Sequence, residues 1–568
     1  MADFCKKYIV PTVILIVFGV LFLTWYLYSQ NFICETAMIF YQQYVSFNEI
    51  HSLSEIVKTL FTSIQTDTRN YLPALYLKPF YLIGKEAYKS YILGIFFLCY
   101  LPAFAFILAY INKNTEKTTP YITLFLLMST PVFWYTTALG YPDILSVGLF
   151  AAGLLITCKN KLSQNISPKI LFAIALIFYL AFVFRRWLIF VVISYLISVV
   201  IYEFANVAAD KTNLSIEQKK STMLNTLKNT AVIGGIFFAL IAICQHNVFL
   251  NFFDENYRKI FDGYKVPLKQ NLDYLISYLS LPIVALMFWA AHFAARNPQK
   301  SQFMIFSLIN MLTFVFVFNA TNVICVDHAL VFAFWLTCFI IAAIQNLLST
   351  IEDNKLKKRA IIAIVLIFGF NFLYTFNDKP TLSKMLVSNC FFKPYEPQNE
   401  DILKEIESDL RSKLEENPKF QYSIWAFENK SFNPHLLFQN GEEHKYFLAG
   451  IFPPLIDTEA IVTGKWGFIE IVNADEIYTT EPLQSYGRAE DNKILFKIHE
   501  MLANKEGFGQ NFSREETPYE LDNEEIVVKY TRNKKVTKEQ FEDLKQKITE
   551  IYPWAKDYYP EYMDDLCK

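Results

Sequence analysis

Eleven uncharged, mostly apolar runs dominate this chain. They lie between Lys7 and Glu35, Lys89 and Lys113, Lys117 and Asp143, Asp143 and Lys159, Lys169 and Arg185, and Arg186 and Glu203. The rest lie between Lys228 and Asp254, Asp273 and Arg296, Lys300 and Asp327, Asp327 and Glu352, and Arg359 and Asp378. A helix needs about 20 such residues to cross the hydrocarbon core of a bilayer. The runs therefore predict a polytopic α-helical membrane protein of eleven spans. The first run is long and lacks a small-residue cleavage site, so it reads as a retained span rather than a signal peptide. Composition agrees: 53% of residues are hydrophobic, 17% aromatic and only 19% charged, a smaller charged share than in soluble domains. A net charge of -2 gives no footprint for nucleic acid. Nine cysteines include no CxxC pair, so neither a zinc site nor a disulfide framework is indicated.

Orientation follows from the distribution of Lys and Arg. With the N-terminus in the cytoplasm, the inner segments carry 17 of these residues and the outer segments between spans carry 11. An odd number of spans then puts the tail outside. Cys34, Cys325, Cys390 and Cys567 would lie on that side, where a disulfide among them could form. Three runs, Ile144–Cys158, Ile170–Phe184 and Trp187–Tyr202, are too short to span as they stand. Each meets a charge at its outer end, so Asp143, Arg185 and Arg186 are expected to sit within the outer leaflet or line a water-filled hollow there. Ionisable groups at that depth are costly and usually functional; snorkelling to the interface is the plainer reading.

From Asp378 the long apolar runs stop and charges become frequent. KFQYSIWAFEN, KYFLAGIF, WGFIEIVNADEIYTT and EEIVVKYTRN read as strands. NEDILKEIESDLRSKLEEN, NKILFKIHEMLANK and KEQFEDLKQKITEIY read as amphipathic helices. The expected organisation is a membrane domain over residues 1–377, with 30–89 as its first extracytoplasmic loop, and an extracytoplasmic α/β domain over 378–568.

Four clusters fall on the outer side in this topology. Glu35, Asp67 and Arg69 belong to the long first loop. Tyr141 and Asp143 sit in the turn Gly140–Asp143. Arg185, Arg186 and Trp187 form the hairpin after the fifth span, and Asp327 and His328 precede the tenth. Acids and cations gathered there suit transfer from a phosphorylated lipid. An arginine pair grips phosphate through charge-assisted bonds and stabilises it as a leaving group. A carboxylate takes the proton from an attacking hydroxyl. Each cluster also has a structural reading: Glu35 as an acid at a helix start, Asp67 as a turn residue, Asp143 as a turn and cap residue, and Asp327 with His328 as a cap. His51, beside Glu49, reads as a solvated loop histidine. A divalent metal on carboxylate and His ligands is conceivable, but no ligand spacing demands it.

These clusters, in this order, resemble the GT-C class of membrane glycosyltransferases, bacterial relatives of the dolichyl-phosphate-mannose protein mannosyltransferases and the aminoarabinose lipid A transferases. The class carries an acidic motif after its first span, often two adjacent acids; here the place reads Cys34-Glu35. RNYLPALYLKPFYLIG resembles the Pro-rich return to the second span. GYPDILSVGLF, FRRWLIF and DHALVFAFWL resemble stretches of a bacterial subgroup, and the tail resembles its extracytoplasmic domain. The resemblance implies an enzyme of the bacterial cytoplasmic membrane that moves a sugar from a polyprenyl-phosphate donor to an outer hydroxyl of a glycan, lipid or polymer. Glu35 would be the base, with Asp67 beside it. Arg185 and Arg186 would hold the donor phosphate. Asp143 and Asp327 would orient the arginines or the sugar, and Tyr71, Tyr141 and Trp187 would stack on sugar faces. A transporter or lipid flippase, or a scaffold whose tail binds a partner, would also use such a membrane domain. Against the first, the charges gather at one face and no repeat is visible.

Overall fold

A computed structural model describes residues 2–29, 35–66, 70–84, 88–115, 120–209, 215–251, 266–296, 301–320, 324–375, 386–390, 399–425, 450–451, 472–483, 493–521 and 525–558, with 253 and 432. The chain divides into a helical unit, formed chiefly by 36–252 and 265–394 with the first helix, and a second unit from Tyr395 on.

Among the described residues, six helices are long and apolar enough to cross a membrane, including Tyr88–Asn114, Leu188–Ala209, Ile216–Cys244 and Gln302–Asn319. The protein is thus an integral membrane protein. The bent pair Leu268–Leu279 and Leu281–Arg296 would make a seventh span. The expected runs take different helical forms among the described residues. The run before Asp143 is broken at Pro131 into Pro120–Met128 and Pro131–Ala138, because proline removes a donor and clashes with the preceding turn. Helices Ile144–Lys159 and Pro168–Phe184 are short, as expected. The third short run is not: its helix continues past Glu203 to Ala209. Helix Asn354–Tyr374 gives its start to Lys355, Lys357, Lys358 and Arg359.

Small residues set the closest approaches. A Cβ on Gly148 would lie 2.4 Å from the Cα of Ala103, so helix Ile144–Lys159 touches its neighbour Leu101–Asn114 backbone to backbone. Helix Ala329–Thr350 is enclosed by its neighbours, with Leu330, Phe334 and Phe339 fully buried. Within Tyr88–Asn114 the stretch Ile95–Tyr100 is a π-helix, a rare widening. There Phe96 and Tyr100 stack on Trp134. The chain stays with the helical unit beyond residue 378. Asn389 N–H donates to Ser277 O at 2.8 Å, and Ser388 N–H to Asn371 Oδ1 at 2.7 Å.

The second unit contains a mixed sheet in the order β2-β1-β3-β6-β4, with β5 pairing β6. The strands are β1 (Tyr422–Trp425), β2 (Gly450–Ile451), β3 (Glu476–Glu481), β4 (Phe512–Arg514), β5 (Tyr519–Glu520) and β6 (Ile526–Arg532). Strand β1 is parallel to β2 and β3; β6 is antiparallel to β3, opposing Ile477 to Tyr530. Alternation sends Ile477 and Tyr530 into a core with helices Lys493–Ala503 and Lys538–Ile551. It sends Tyr478 and Val527 to the other face, onto Leu403, Ile406 and Leu410 of helix Glu400–Glu416. The three expected helices and parts of the four expected strands are present. Strands β4 and β5 were not anticipated: they are too short to carry a pattern.

Candidate functional site

Three polar turns of the helical unit meet at one end of the bundle. Asp143 precedes helix Ile144–Lys159, Arg185 ends helix Pro168–Phe184, and Asp327 lies just before helix Ala329–Thr350. Arg185 Nε lies 2.8 Å from Asp143 Oδ1, and its terminal nitrogen donates to Asp327 Oδ2 at 3.3 Å. The Phe40 ring lies 5.0 Å from the same guanidinium, a cation–π contact. His328 Nε2 is 3.7 Å from Asp327 Oδ2, and its ring meets Trp187 edge to face at 5.2 Å. Asp143 is fully buried, whereas the side chains of Arg185, His328 and Asp327 remain 10%, 13% and 16% exposed. The outer edge of this cluster is therefore Asp327 and His328.

The Arg185 guanidinium is shared between two carboxylates, with His328 beside the second. Arg185 is consequently a poor seat for a phosphate, and a good device for keeping two acids together in a low-dielectric place. Arg185 Nε and the Trp187 side chain both face the buried Asp143 carboxylate, the first as an ion pair at 2.8 Å. Arg186 points differently: its terminal nitrogen donates to Ile64 O, 3.1 Å away at the end of loop helix Leu53–Thr66.

The turn that presents Asp143 is built locally. Gly140 adopts φ 90°, and its carbonyl accepts the Tyr91 hydroxyl at 2.7 Å. Tyr141 is buried, with Phe40 at 6.0 Å and Tyr135 stacked at 6.4 Å. Tyr71 stacks on Phe47. Both rings thus already pack against aromatic neighbours.

Two residues that the sequence reading passed over tie the first loop to this end. Asn70 donates from Nδ2 to Val183 O at 2.6 Å while its Oδ1 accepts the Leu72 amide at 2.9 Å. Its signal was legible: an Asn two residues ahead of Leu72-Pro73 is a helix-start pattern. Phe40 carried no such signal. Asp67 and Arg69 lie outside the described residues, as do Cys34 and Cys567. Glu35 opens helix Glu35–Asn48, and its side chain is likewise outside the description. Among the described residues, Cys325, Asp327 and His328 bring three metal-type ligand atoms within 4.8 Å of one another. Asp327 already answers Arg185, and His328 Nδ1 accepts the Cys325 amide at 3.3 Å.

No family model matches the chain, and no curated protein does. Among solved structures, the chain is similar to a crystal structure of ArnT from Cupriavidus metallidurans bound to undecaprenyl phosphate. The identity is 11%, the match covers 87% of this chain and 96% of that one, and the TM-score is 0.42. It is also similar to ArnT from the same organism in the apo state, at 11% identity, 92% and 98% coverage and a TM-score of 0.44.

Proposed function

We propose that the protein is a membrane glycosyltransferase that moves a sugar from a polyprenyl-phosphate donor to an extracytoplasmic hydroxyl. The observation that carries this reading is the convergence of Asp143, Arg185, Asp327 and His328, from three separate turns, into one partly exposed cluster with Arg186 alongside. Such a group of acids and cations is costly at membrane depth and is usually kept for function. The acceptor oxygen attacks the anomeric carbon, the bond from that carbon to the donor phosphate oxygen breaks, and polyprenyl phosphate leaves. The acceptor proton passes to a carboxylate, for which Glu35 is our choice. Arg186 meets the leaving phosphate, because Arg185 is neutralised by its two acids. Asp327 and His328 orient the sugar at the exposed edge. The orientation follows the Lys/Arg bias, in a bacterial cytoplasmic membrane with the C-terminal unit outside.

The test is transfer from a panel of polyprenyl-phosphate sugars by purified chain in vesicles, with Glu35→Gln and Arg186→Gln alongside. Loss of a general base typically costs about 10²–10⁴ in rate, so Glu35→Gln is expected to fold normally and turn over in that reduced range. A wild-type rate from it removes Glu35 from the mechanism. No transfer from any donor removes the reading.

A further inference from the structure

Helix Leu268–Leu279 carries no residue of the candidate cluster, yet it holds the turn that does. Asn271, in its first turn, is fully buried. Its Nδ2 donates to Asn319 Oδ1 at 2.8 Å, and its Oδ1 accepts the Ile324 amide at 2.8 Å. Asn319 ends helix Gln302–Asn319, and Ile324 is itself fully buried just ahead of Cys325. One side chain thus grips both sides of the connection that leads to Asp327 and His328. A carboxamide offers a donor and an acceptor on one short planar group, which neither Leu nor an ionised Asp does.

The grip continues along the turn. The Cys325 amide donates to His328 Nδ1 at 3.3 Å. A neutral imidazole that accepts at Nδ1 carries its proton on Nε2. That nitrogen lies 3.7 Å from Asp327 Oδ2, the oxygen that Arg185 also contacts. The helix that supplies Asn271 is fixed at its other end as well. It stops at Ser280, which adopts φ 86°, so carbonyls of its last turn lose their helical partners. Segment 386–390 takes two of them: the Asn389 amide donates to Ser277 O at 2.8 Å, and the Ser388 hydroxyl donates to Tyr278 O. Leu275 and Leu279, on the side of Asn271 by helical spacing, are buried.

We propose that Asn271 is a positioning residue of the candidate site: by clamping Asn319 and Ile324 it sets the orientation of His328, and through it the Asp327 carboxylate that faces Arg185. Loss of the clamp removes the acceptor of a buried amide, which is costly. The Cys325 amide shifts with its neighbour, and His328 loses the bond that fixes its ring. The effect on transfer rests on the glycosyltransferase reading; the hold on the turn does not.

The experiment compares full-length Asn271→Leu, Asn319→Leu and Asn319→Asp with wild type in vesicles, by hydrogen exchange of peptides covering 324–328 and by transfer. Leu at 271 removes both sides of the clamp, Leu at 319 removes one, and Asp at 319 keeps an acceptor. Exchange at 324–328 is expected to rise about tenfold in both Leu variants and to stay within about twofold of wild type in Asn319→Asp. The loop whose Leu162 and Gln164 carbonyls accept from Asn229 at 2.8 and 2.7 Å is the control, expected to stay unchanged. Unchanged exchange at 324–328 in Asn271→Leu, or an equal rise in the control loop, overturns the proposal. Where Asn271→Leu does not fold, Asn319→Leu decides in the same way. In the transfer assay Asn271→Leu is expected to lose about ten- to a hundredfold. Combined with His328→Phe, it is expected to lose no more than the larger of the two single losses. Losses that multiply mean that Asn271 does not act through His328, and overturn the positioning role. Absence of transfer from every donor by wild type removes the glycosyltransferase reading and leaves exchange to decide for Asn271.

Discussion

Arg185 shows how a residue type can be read correctly and its role still missed. Two adjacent arginines after an apolar run promise a double grip on phosphate. The fold splits them: Arg185 is held by Asp143 and Asp327, and Arg186 reaches back to the first loop. Removing one partner of a buried ion pair typically costs about 3–5 kcal/mol. Arg185→Ala is expected to lose stability in that range, measured by thermal unfolding in detergent. Adding Asp143→Ala is expected to return part of the loss, because the stranded carboxylate goes with it; additive losses would mean that the pair is not coupled. In the second unit, Asp409 accepts from Lys413 at 2.6 Å and from the Tyr478 hydroxyl at 3.2 Å. Burial pushes its carboxyl up, but Lys413, Lys529 and Tyr478 outweigh burial and hold it below the usual range. A depressed folded value means that its contribution is whole above the unfolded pKa of about 3.9. That contribution fades as pH falls through the lower folded value. Amide protection in β3 and β6 of the full chain should therefore drop on acidification below about pH 4, and less steeply in Asp409→Asn. Equal slopes would take Asp409 out of the acid response.

At the scale of elements, charge placement fixed more than length did. Short runs ending in Asp143 and Arg185 pointed to polar groups at one end of the bundle, and those ends meet. The third short run, ended by Glu203 in the sequence, became a helix of 22 residues, because one half-buried acid does not stop a helix. Close contact between helices depended on a residue that hydrophobic patterning does not register. Gly148 lets its helix touch Ala103, and a side chain there would drive the two backbones apart. Overpacking usually costs about 1–3 kcal/mol. Gly148→Val is expected to lower the unfolding temperature accordingly, whereas Gly235→Ala, with nothing within 4 Å of the added carbon, should not. A Gly148→Val variant as stable as wild type would show that the close approach to Ala103 does not set the effect.

For the whole molecule, the proposed orientation has a direct check. A protease-cleavable tag after Lys568 should be cut in intact spheroplasts, and one inserted between Lys159 and Lys169 should not. Cleavage of the second alone would reverse the arrangement, and protection of both would remove the tail from the outer side. Sequence alone determined that the chain is a helical membrane protein followed by a mixed α/β unit, since apolar run length and strand and helix periodicities are local properties. It also marked Asp143, Arg185, Asp327 and His328, since charges beside apolar runs stand out in a one-dimensional reading. Only the tertiary structure decided which of these touch, that Arg185 serves its acids while Arg186 serves the first loop, and that Asn70 and Phe40 join them. Those outcomes depend on which turns the packed helices bring within a few ångströms, and residues as far apart as Asp143 and Asp327 carry no local signal of that meeting.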